Sequence, residues 1–225
     1  RFTLQIVSLF LLLITVSCSA GTKTNREPEK AEIIAVAKQQ VSLEGLSKAY
    51  FASGCFWCVE AIYESVNGVA EAVSGYAGGP ENNPTYRQVA SGATGHAEAV
   101  EVYYDPEIVS FETLVEVFYG SHDPTTVNGQ HPDYGAQYRS IIFYQTDEEK
   151  AVAEQWKQQV GASGEYSKPI ATEISELEKF WTAEEYHQDF EKKNPNQSYV
   201  RAVSIPRLRA FQEKYPQLLK DDITH

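Results

Sequence analysis

Two cysteines separated by two aromatic residues have the clearest chemical potential in the sequence. Cys55 and Cys58 enclose Phe56 and Trp57, and the chain of 225 residues holds only one further cysteine, Cys18. The spacing lets the second sulfur reach the first across one turn of a helix. Such a pair suits oxidation of Cys55 to a sulfenic acid, which Cys58 then captures as a disulfide.

Other roles are open to the same two cysteines. A zinc site would need two more ligands, and with Cys18 far away only histidine side chains remain. A structural disulfide is a second alternative, and disulfide exchange of the thioredoxin type is a third. Phe56 and Trp57 argue against the third, because they fill the surface on which a partner disulfide would dock. Reduction of insulin disulfides would test the third role.

The elements around the pair predict where Cys55 lies. Residues 49–54 have the pattern of a short strand ending in glycine, and Phe56, Val59 and Ile62 then follow helical spacing. Cys55 is therefore expected where the strand ends and the helix begins. Free N–H groups and the helix dipole stabilise an anion there, so the position is expected to favour the thiolate of Cys55.

Strands and helices alternate with short connections over the rest of the chain. The predicted strands are residues 69–76, 96–104, 138–145 and 170–177, and the predicted helices follow Ser110, Thr146 and Thr182 or begin at Pro206. This pattern predicts an α+β fold, a two-layer ferredoxin-like sandwich with a mixed sheet and an irregular C-terminal extension. The predicted domain covers residues 46–215, and residues 216–225 form a tail.

The N-terminal residues are typical of a targeting segment. Arg1 precedes an apolar run at residues 6–16, which is shorter than the roughly 20 residues that span a bilayer and suits a signal peptide. Cys18 follows among small residues, as in bacterial lipoprotein signals; an ordinary secretory signal cleaved just beyond Cys18 is the alternative. We predict a signal peptide with a lipidated cysteine at 1–18, a tether at 19–45, and a location in the bacterial cell envelope, facing the periplasm or the exterior.

Composition and charge exclude several classes of protein. Hydrophobic residues make up 42% of the chain and charged residues 22%, which excludes collagen, coiled coils and wholesale disorder. The formal net charge of -12 argues against a nucleic-acid partner, because phosphate binding needs a basic face. Contact with a membrane is expected only through the N-terminal lipid.

Several short motifs together resemble the peptide methionine sulfoxide reductase A family. They follow one another in the family's order from about residue 50 to residue 211, essentially the whole folded part of the chain. The motifs are Gly54-Cys55-Phe56-Trp57 with Glu60, Gly75-Tyr76-Ala77-Gly78-Gly79, Pro84-Thr85-Tyr86, Thr94-Gly95-His96-Ala97-Glu98, Gly135-Ala136-Gln137-Tyr138-Arg139-Ser140, Glu185-Tyr186-His187-Gln188 and Asn194-Pro195-Asn196-Gln197.

The resemblance implies catalytic roles for four residues. Cys55 is the nucleophile that attacks the sulfoxide sulfur, and Glu98 is the general acid that protonates the departing oxygen. The hydroxyl groups of Tyr86 and Tyr138 hydrogen-bond that oxygen and stabilise the charge developing on it. Without the resemblance, a carboxylate on an alternating strand would be assigned to solvent and both tyrosines to packing.

The resemblance also implies a substrate pocket. Phe56 and Trp57 form the apolar wall that receives the S-methyl group, and Asp133 orders the site. His187 is similar to a family histidine near the pocket. Judged by residue type alone, the two aromatic side chains would belong to the core and Asp133 would form a turn beside a proline.

Regeneration is implied to proceed through Cys58. Many family members use a resolving cysteine in a C-terminal tail, but this sequence has no cysteine beyond residue 58. A local disulfide between Cys55 and Cys58 would then be reduced by a thioredoxin-like dithiol; direct reduction of the sulfenic acid by an external thiol is the alternative.

The expected substrate is methionine S-sulfoxide, free or in proteins. No cofactor and no metal is expected. A monomer is expected. The remaining alternative is a non-enzymatic envelope lipoprotein with the same fold. A reduced, folded preparation that turns over no sulfoxide would favour this alternative.

Overall fold

Eight strands organise residues 43–221, the part of the chain that the computed structural model describes. The strands are β1 (Ser47–Ser53), β2 (Val69–Ala77), β3 (Ala97–Tyr104), β4 (Gly129–Gln130), β5 (Asp133–Tyr134), β6 (Ser140–Tyr144), β7 (Glu173–Glu176) and β8 (Phe180–Thr182). Six of them form one sheet in the order β7-β6-β1-β3-β2-β8, and β4 and β5 form a separate hairpin. The predicted signal peptide, Cys18 and nearly all of the predicted tether lie outside the described residues.

The central strands follow the ferredoxin-like arrangement. β6, β1, β3 and β2 are neighbours in that order, and every pairing among them is antiparallel. β7 adds to the edge of β6 in parallel, which makes the sheet mixed, and β8 adds to β2 antiparallel. The predicted α+β fold with a mixed sheet is therefore confirmed.

Six α-helices within residues 43–221 accompany the sheet. They are α1 (Phe56–Glu64), α2 (Tyr86–Ala90), α3 (Phe111–Gly120), α4 (Asp147–Ala162), α5 (Phe190–Lys193) and α6 (Ile205–Lys214). The side chain of Ser110 accepts a hydrogen bond from the Thr113 backbone N–H at the start of α3, and Thr146 does the same for Glu149 at the start of α4. Both predicted N-caps are thus confirmed.

Alternation along β1 places a core on each face of the sheet. Ala49 and Phe51 face α1 and α3, where the Phe51 ring stacks on Tyr63 with centroids 4.9 Å apart. Tyr50 and Ala52 point to the opposite face and join a smaller apolar cluster. The layer of helices on the first face holds the start of α1 against the sheet.

The C-terminal part is irregular, as predicted, but one predicted helix is wrong. Thr182 does not cap a helix; it is the last residue of β8 and pairs with Gly75 on β2. Residues 180–182 pair with the free edge of β2 as a strand. The two strands approach closely, because a side chain on Gly75 would collide with the Phe180 ring. Only a short 3-10 helix follows, at Glu185–His187.

The last described elements dock on the domain. A π-helix at Val200–Ser204 runs directly into α6, which has its proline in the first turn, as predicted. Beyond it, the backbone N–H of Asn67 donates to the carbonyl of Leu218 at 2.8 Å, and that of Lys220 donates to Ser65 at 3.0 Å. No helix within residues 43–221 combines the length and the apolar character needed to cross a membrane.

Candidate active site

Cys55 lies at the junction of β1 and α1, where the sequence predicts it. β1 ends at Ser53, and Cys55 is the N-cap residue of α1. Gly54 makes the turn with a φ of +96°, a left-handed conformation that favours glycine, and a Cβ there would lie only 2.8 Å from that of Gln130. The turn places the Cys55 sulfur at the start of the helix.

The two thiols are reduced, buried and hydrogen-bonded to each other. Burial raises the pKa of Cys55 well above its ordinary value, and the neighbouring Cys58 and Glu98 raise it further. In the free site, desolvation therefore opposes the stabilisation of the Cys55 thiolate that is expected at the start of a helix.

Cys58 carries the first negative charge of the pair. The hydrogen bond from Cys55 lowers the pKa of Cys58 to about 6, against the effect of burial. The positive charge of Arg207 and the neighbouring Ser204 and Tyr199 hydroxyls act in the same direction. At neutral pH the pair therefore shares one proton, with the charge on Cys58 and the hydrogen on Cys55.

Glu98 extends from β3 to the start of α1. Its Oε2 accepts a hydrogen bond from the Phe56 backbone N–H at 3.1 Å, and only 2% of the residue is exposed. Burial raises the pKa of Glu98 to about 8, and the nearby charges of Asp133 and Cys58 raise it as well. The carboxyl group is thus protonated at neutral pH, as a proton donor must be.

Two tyrosines face the same space. Burial raises the pKa of Tyr86 to about 12, with further contributions from Glu98 and Cys55. Burial and the charge of Glu98 also raise the pKa of Tyr138, so both hydroxyl groups keep their protons and can donate them in hydrogen bonds. Tyr138 ends a 3-10 helix at Ala136–Tyr138, and the strand predicted to begin there starts at Ser140 instead.

Carboxylate contacts position Tyr86. Its backbone N–H donates to Glu184 Oε1 at 2.9 Å, and the Tyr76 hydroxyl donates to the other oxygen of the same carboxylate at 2.8 Å. Although partial burial raises the pKa of Glu184, these hydrogen bonds bring it below the ordinary value. An ionised Glu184 therefore ties α2 to β2 and to the C-terminal segment.

An aromatic wall borders the thiol pair. The Phe56 ring lies 4.9 Å from the His187 ring between centroids, and the Tyr86 ring lies 4.3 Å from it. Trp57 donates its indole N–H to His187 Nδ1 at 3.1 Å and stacks on Phe190 with centroids 3.7 Å apart. Burial lowers the pKa of His187, so the imidazole is neutral and completes an uncharged wall.

Asp133 reaches the thiols through a residue that the sequence analysis missed. The Tyr199 hydroxyl donates to Asp133 Oδ2, and the oxygen of that hydroxyl lies 3.9 Å from the Cys58 sulfur. Asp133 opens β5, so the small hairpin delivers it. Tyr199 follows the predicted Asn194-Pro195-Asn196-Gln197 motif closely, which is the only signal in the sequence that could have found it.

Arg207 is the second functional residue that sequence reasoning missed. Its guanidinium donates to the carbonyls of Ser53 at 2.9 Å and of Ser121 at 2.8 Å. Within residues 43–221 no carboxylate forms an ion pair with it. The Cys58 thiolate therefore lies in the field of a cation held at the end of β1.

Glu60 ties α1 to the segment that carries His187. One carboxyl oxygen of Glu60 accepts from the Asp189 backbone N–H, and the other forms a hydrogen bond with the Ser74 hydroxyl. Only 2% of Glu60 is exposed, and burial raises its pKa to about 8. The neutral carboxyl thereby links α1 to β2 and to the segment that carries His187.

The structure brings all the predicted site residues within residues 43–221 into one place. Cys55, Cys58, Phe56 and Trp57 come from the first turn of α1 and the residue before it. The remaining members lie in β3, α2, the β5 hairpin with its following 3-10 helix, and the C-terminal segment, namely Glu98, Tyr86, Asp133, Tyr138 and His187. Cys18 lies outside the described residues.

Comparisons with known proteins agree with this geometry. A family model described as peptide methionine sulfoxide reductase matches residues 47–219. The chain is 45% identical over 193 residues to peptide methionine sulfoxide reductase MsrA 1 of Rhodopirellula baltica, covering 86% of this chain and 97% of that protein. It is 50% identical over 150 residues to MsrA of Listeria monocytogenes, covering 67% and 85% respectively.

Solved structures show the same fold. Methionine sulfoxide reductase A of Corynebacterium diphtheriae superimposes with a TM-score of 0.60 and 35% identity, over 68% of this chain and 77% of that one. Reduced Mxr1 from Saccharomyces cerevisiae gives a TM-score of 0.58 and 34% identity, over 68% and 87%.

Proposed function

The chain belongs to the peptide methionine sulfoxide reductase family and reduces methionine sulfoxide, and we propose that it acts on the S epimer through a sulfenic acid on Cys55. The substrate is free or protein-bound methionine sulfoxide, and the reaction repairs oxidative damage. The observation that carries the proposal is a buried, protonated Glu98 hydrogen-bonded to the residue that follows Cys55.

The uncharged wall selects the apolar part of the substrate. The rings of Phe56, Trp57 and Tyr86 surround a neutral His187, so the S-methyl group finds apolar contacts there. The sulfoxide oxygen needs hydrogen-bond donors instead, and the Glu98 carboxyl with the two tyrosine hydroxyls supplies them. With the rest of the methionine side chain directed out of the site, only one epimer can place its methyl group at the wall and its oxygen at the donors.

The chemical step transfers one oxygen atom from the substrate sulfur to the Cys55 sulfur. As Cys55 attacks, its proton moves to the hydrogen-bonded Cys58 thiolate, and Glu98 protonates the sulfoxide oxygen. A bond forms between the Cys55 sulfur and the substrate sulfur, and the protonated oxygen leaves with the electron pair of the broken sulfur–oxygen bond. That oxygen then adds to the Cys55 sulfur, and the sulfur–sulfur bond breaks with its electron pair on the methionine sulfur. Cys55 becomes a sulfenic acid and methionine leaves.

Cys58 then resolves the sulfenic acid. Its sulfur attacks that of Cys55, water leaves, and a disulfide forms between residues 55 and 58. The hydrogen bond between the two thiols supports this step, because no rearrangement of α1 is needed to bring the sulfurs together. A thioredoxin-type dithiol reduces the disulfide.

Replacement of Cys58 tests the cycle. Cys58→Ser is expected to stop turnover with a thioredoxin-type dithiol while a single turnover still yields methionine, because oxygen transfer needs the Cys55 sulfur and resolution needs Cys58. Cys55→Ser should remove both. Full multiple turnover by Cys58→Ser with a thioredoxin-type donor would contradict the proposed resolving role.

We further propose that the protein is an envelope lipoprotein that acts as a monomer. The apolar run and Cys18 support the lipid anchor at 1–18, the polar residues 19–45 support a tether, and a site assembled from one chain supports the monomer. Cys18→Ser, expressed in a bacterium and compared with the wild type, should move the protein from the membrane fraction to the soluble envelope fraction. Unchanged fractionation would contradict the anchor.

A further inference from the structure

The C-terminal segment covers one sulfur of the pair. Cys58 is 1% exposed, and its sulfur lies against the Tyr199 hydroxyl and close to Ser204. Val200 and Ser204 are themselves fully buried. A reductant cannot reach the Cys58 sulfur while this segment stays in place.

The other sulfur must be reachable from solvent, because the reaction requires it. A methionine sulfoxide in a protein has to bring its own sulfur to that of Cys55. Cys55 is 7% exposed and is bordered by the half-buried side chains of Trp57, Tyr86 and Tyr138. The opening that admits the substrate therefore leads to Cys55.

We propose that the reductant attacks the disulfide at Cys55, through the same opening as the substrate, and that Cys58 leaves as the thiolate, beside the positive charge of Arg207. This inference rests on the proposed Cys55-Cys58 disulfide and assigns its polarity. Arg207 acts as a positioning residue, because it touches neither substrate nor the attacked sulfur.

The surroundings of Cys58 suit a leaving group. Arg207 is fixed by the carbonyls of Ser53 and Ser121, and no carboxylate within residues 43–221 pairs with it. The charge of Arg207 lowers the pKa of the Cys58 thiol, and this effect remains in the mixed disulfide, where Cys55 has no S–H to donate. A sulfur with a low pKa leaves faster in thiol–disulfide exchange.

The step balances in electrons and protons. A thiolate of the dithiol reductant forms a bond to the Cys55 sulfur, and the bond between the Cys55 and Cys58 sulfurs breaks with its electron pair on Cys58. The second thiol of the reductant then attacks the reductant's own sulfur in the mixed disulfide and releases Cys55. The reductant loses two electrons and two protons, and the cysteine pair gains both.

Trapping of the mixed disulfide tests the polarity in the unaltered enzyme. The protein is oxidised by one turnover and mixed with a thioredoxin-type protein whose second active-site cysteine is replaced by serine. After quenching in acid and alkylation, cleavage on the C-terminal side of Phe56 or Trp57 separates the two cysteines for mass spectrometry. The expected adduct is on Cys55, and an adduct on Cys58 would overturn the proposal.

The same samples distinguish failure of the polarity from failure of the cycle. Oxidised protein without reductant should contain the disulfide between residues 55 and 58. If it does not, the proposed cycle and this proposal both fail; if it does but the adduct is on Cys58, only the polarity is wrong.

Substitution of Arg207 provides an independent readout. Arg207→Gln should slow reduction of the preformed disulfide by dithiothreitol about threefold for each unit by which the Cys58 pKa rises. It should also move the pH at which the pair gains thiolate absorbance upward. Arg207→Lys should restore part of both effects, and Arg209→Gln, exposed on the same helix, should change neither. An unchanged rate and absorbance profile in Arg207→Gln would contradict the role of Arg207.

Discussion

Loss of the Glu98 proton should nearly abolish oxygen transfer. With a pKa of about 8, about nine-tenths of the Glu98 carboxyl groups are protonated at pH 7, against about one in three hundred at the ordinary pKa of 4.5. Burial therefore keeps almost all of the Glu98 carboxyl groups in the protonated form that can donate a proton. A positioned general acid contributes about 10²- to 10⁴-fold to a rate, and Glu98→Gln should slow methionine formation in a single turnover by that factor.

The pH profile of the same single turnover gives a second signature. The rate should rise through about pH 6 as the thiol pair loses its first proton and should fall above about 8 as Glu98 ionises. Glu98→Gln should remove the fall, because the amide has no proton to lose over this range. Its oxygen still accepts from the Phe56 N–H, so the fold is preserved.

Glu101→Gln is the matched control for this experiment. Glu101 also lies on β3, but its carboxylate accepts hydrogen bonds from Tyr50, Tyr103 and Lys48 on the other face of the sheet. The single-turnover rate of the Glu101→Gln variant should match that of the wild type. A Glu98→Gln variant that keeps the wild-type rate and the fall above pH 8 would refute the assignment of Glu98 as the acid.

Further predictions concern the tyrosines and the buried acid on α1. Tyr86→Phe and Tyr138→Phe should each lower the single-turnover rate, by about 10²-fold, with unchanged circular dichroism; a rate equal to the wild type in both would contradict the two hydrogen bonds to the oxygen. Glu60 keeps its proton to about pH 8 in the fold but only to about its ordinary pKa of 4.5 when unfolded. Between these two pH values the folded state therefore binds more protons than the unfolded state. As the pH rises through this interval, Glu60 lowers the free energy of unfolding by about 1.4 kcal/mol per pH unit. Glu60→Gln should flatten the pH dependence measured by urea unfolding, and an unaltered slope would contradict a neutral Glu60.

Local patterns predicted the elements that position Cys55 and Glu98. Strand alternation, helical spacing and capping side chains are properties of neighbouring residues, so β1, α1, β3 and the starts of α3 and α4 could be located from the sequence. The alternation of those elements predicted the ferredoxin-like fold, whereas the order of the strands is seen only in the structure. The family resemblance then supplied residues that no local pattern distinguishes from packing, such as Tyr86.

The features that the sequence could not predict depend on contacts between residues that are far apart in the chain. β8 exists because the edge of β2 is free to pair, and this outweighs the capping pattern at Thr182. The raised pKa of Cys55 depends on burial by the whole domain. Tyr199 and Arg207 lie more than a hundred residues beyond the cysteines. No spacing in the sequence relates them to Cys58, and only the fold brings them close to it.

The most direct test of the account is the mass of the enzyme after one turnover without reductant. The wild type should become lighter by two hydrogen atoms, with one disulfide joining Cys55 and Cys58, and Cys58→Ser should instead become heavier by one oxygen atom on Cys55. Stoichiometric formation of methionine with neither change at Cys55 would contradict the claim that its sulfur accepts the oxygen.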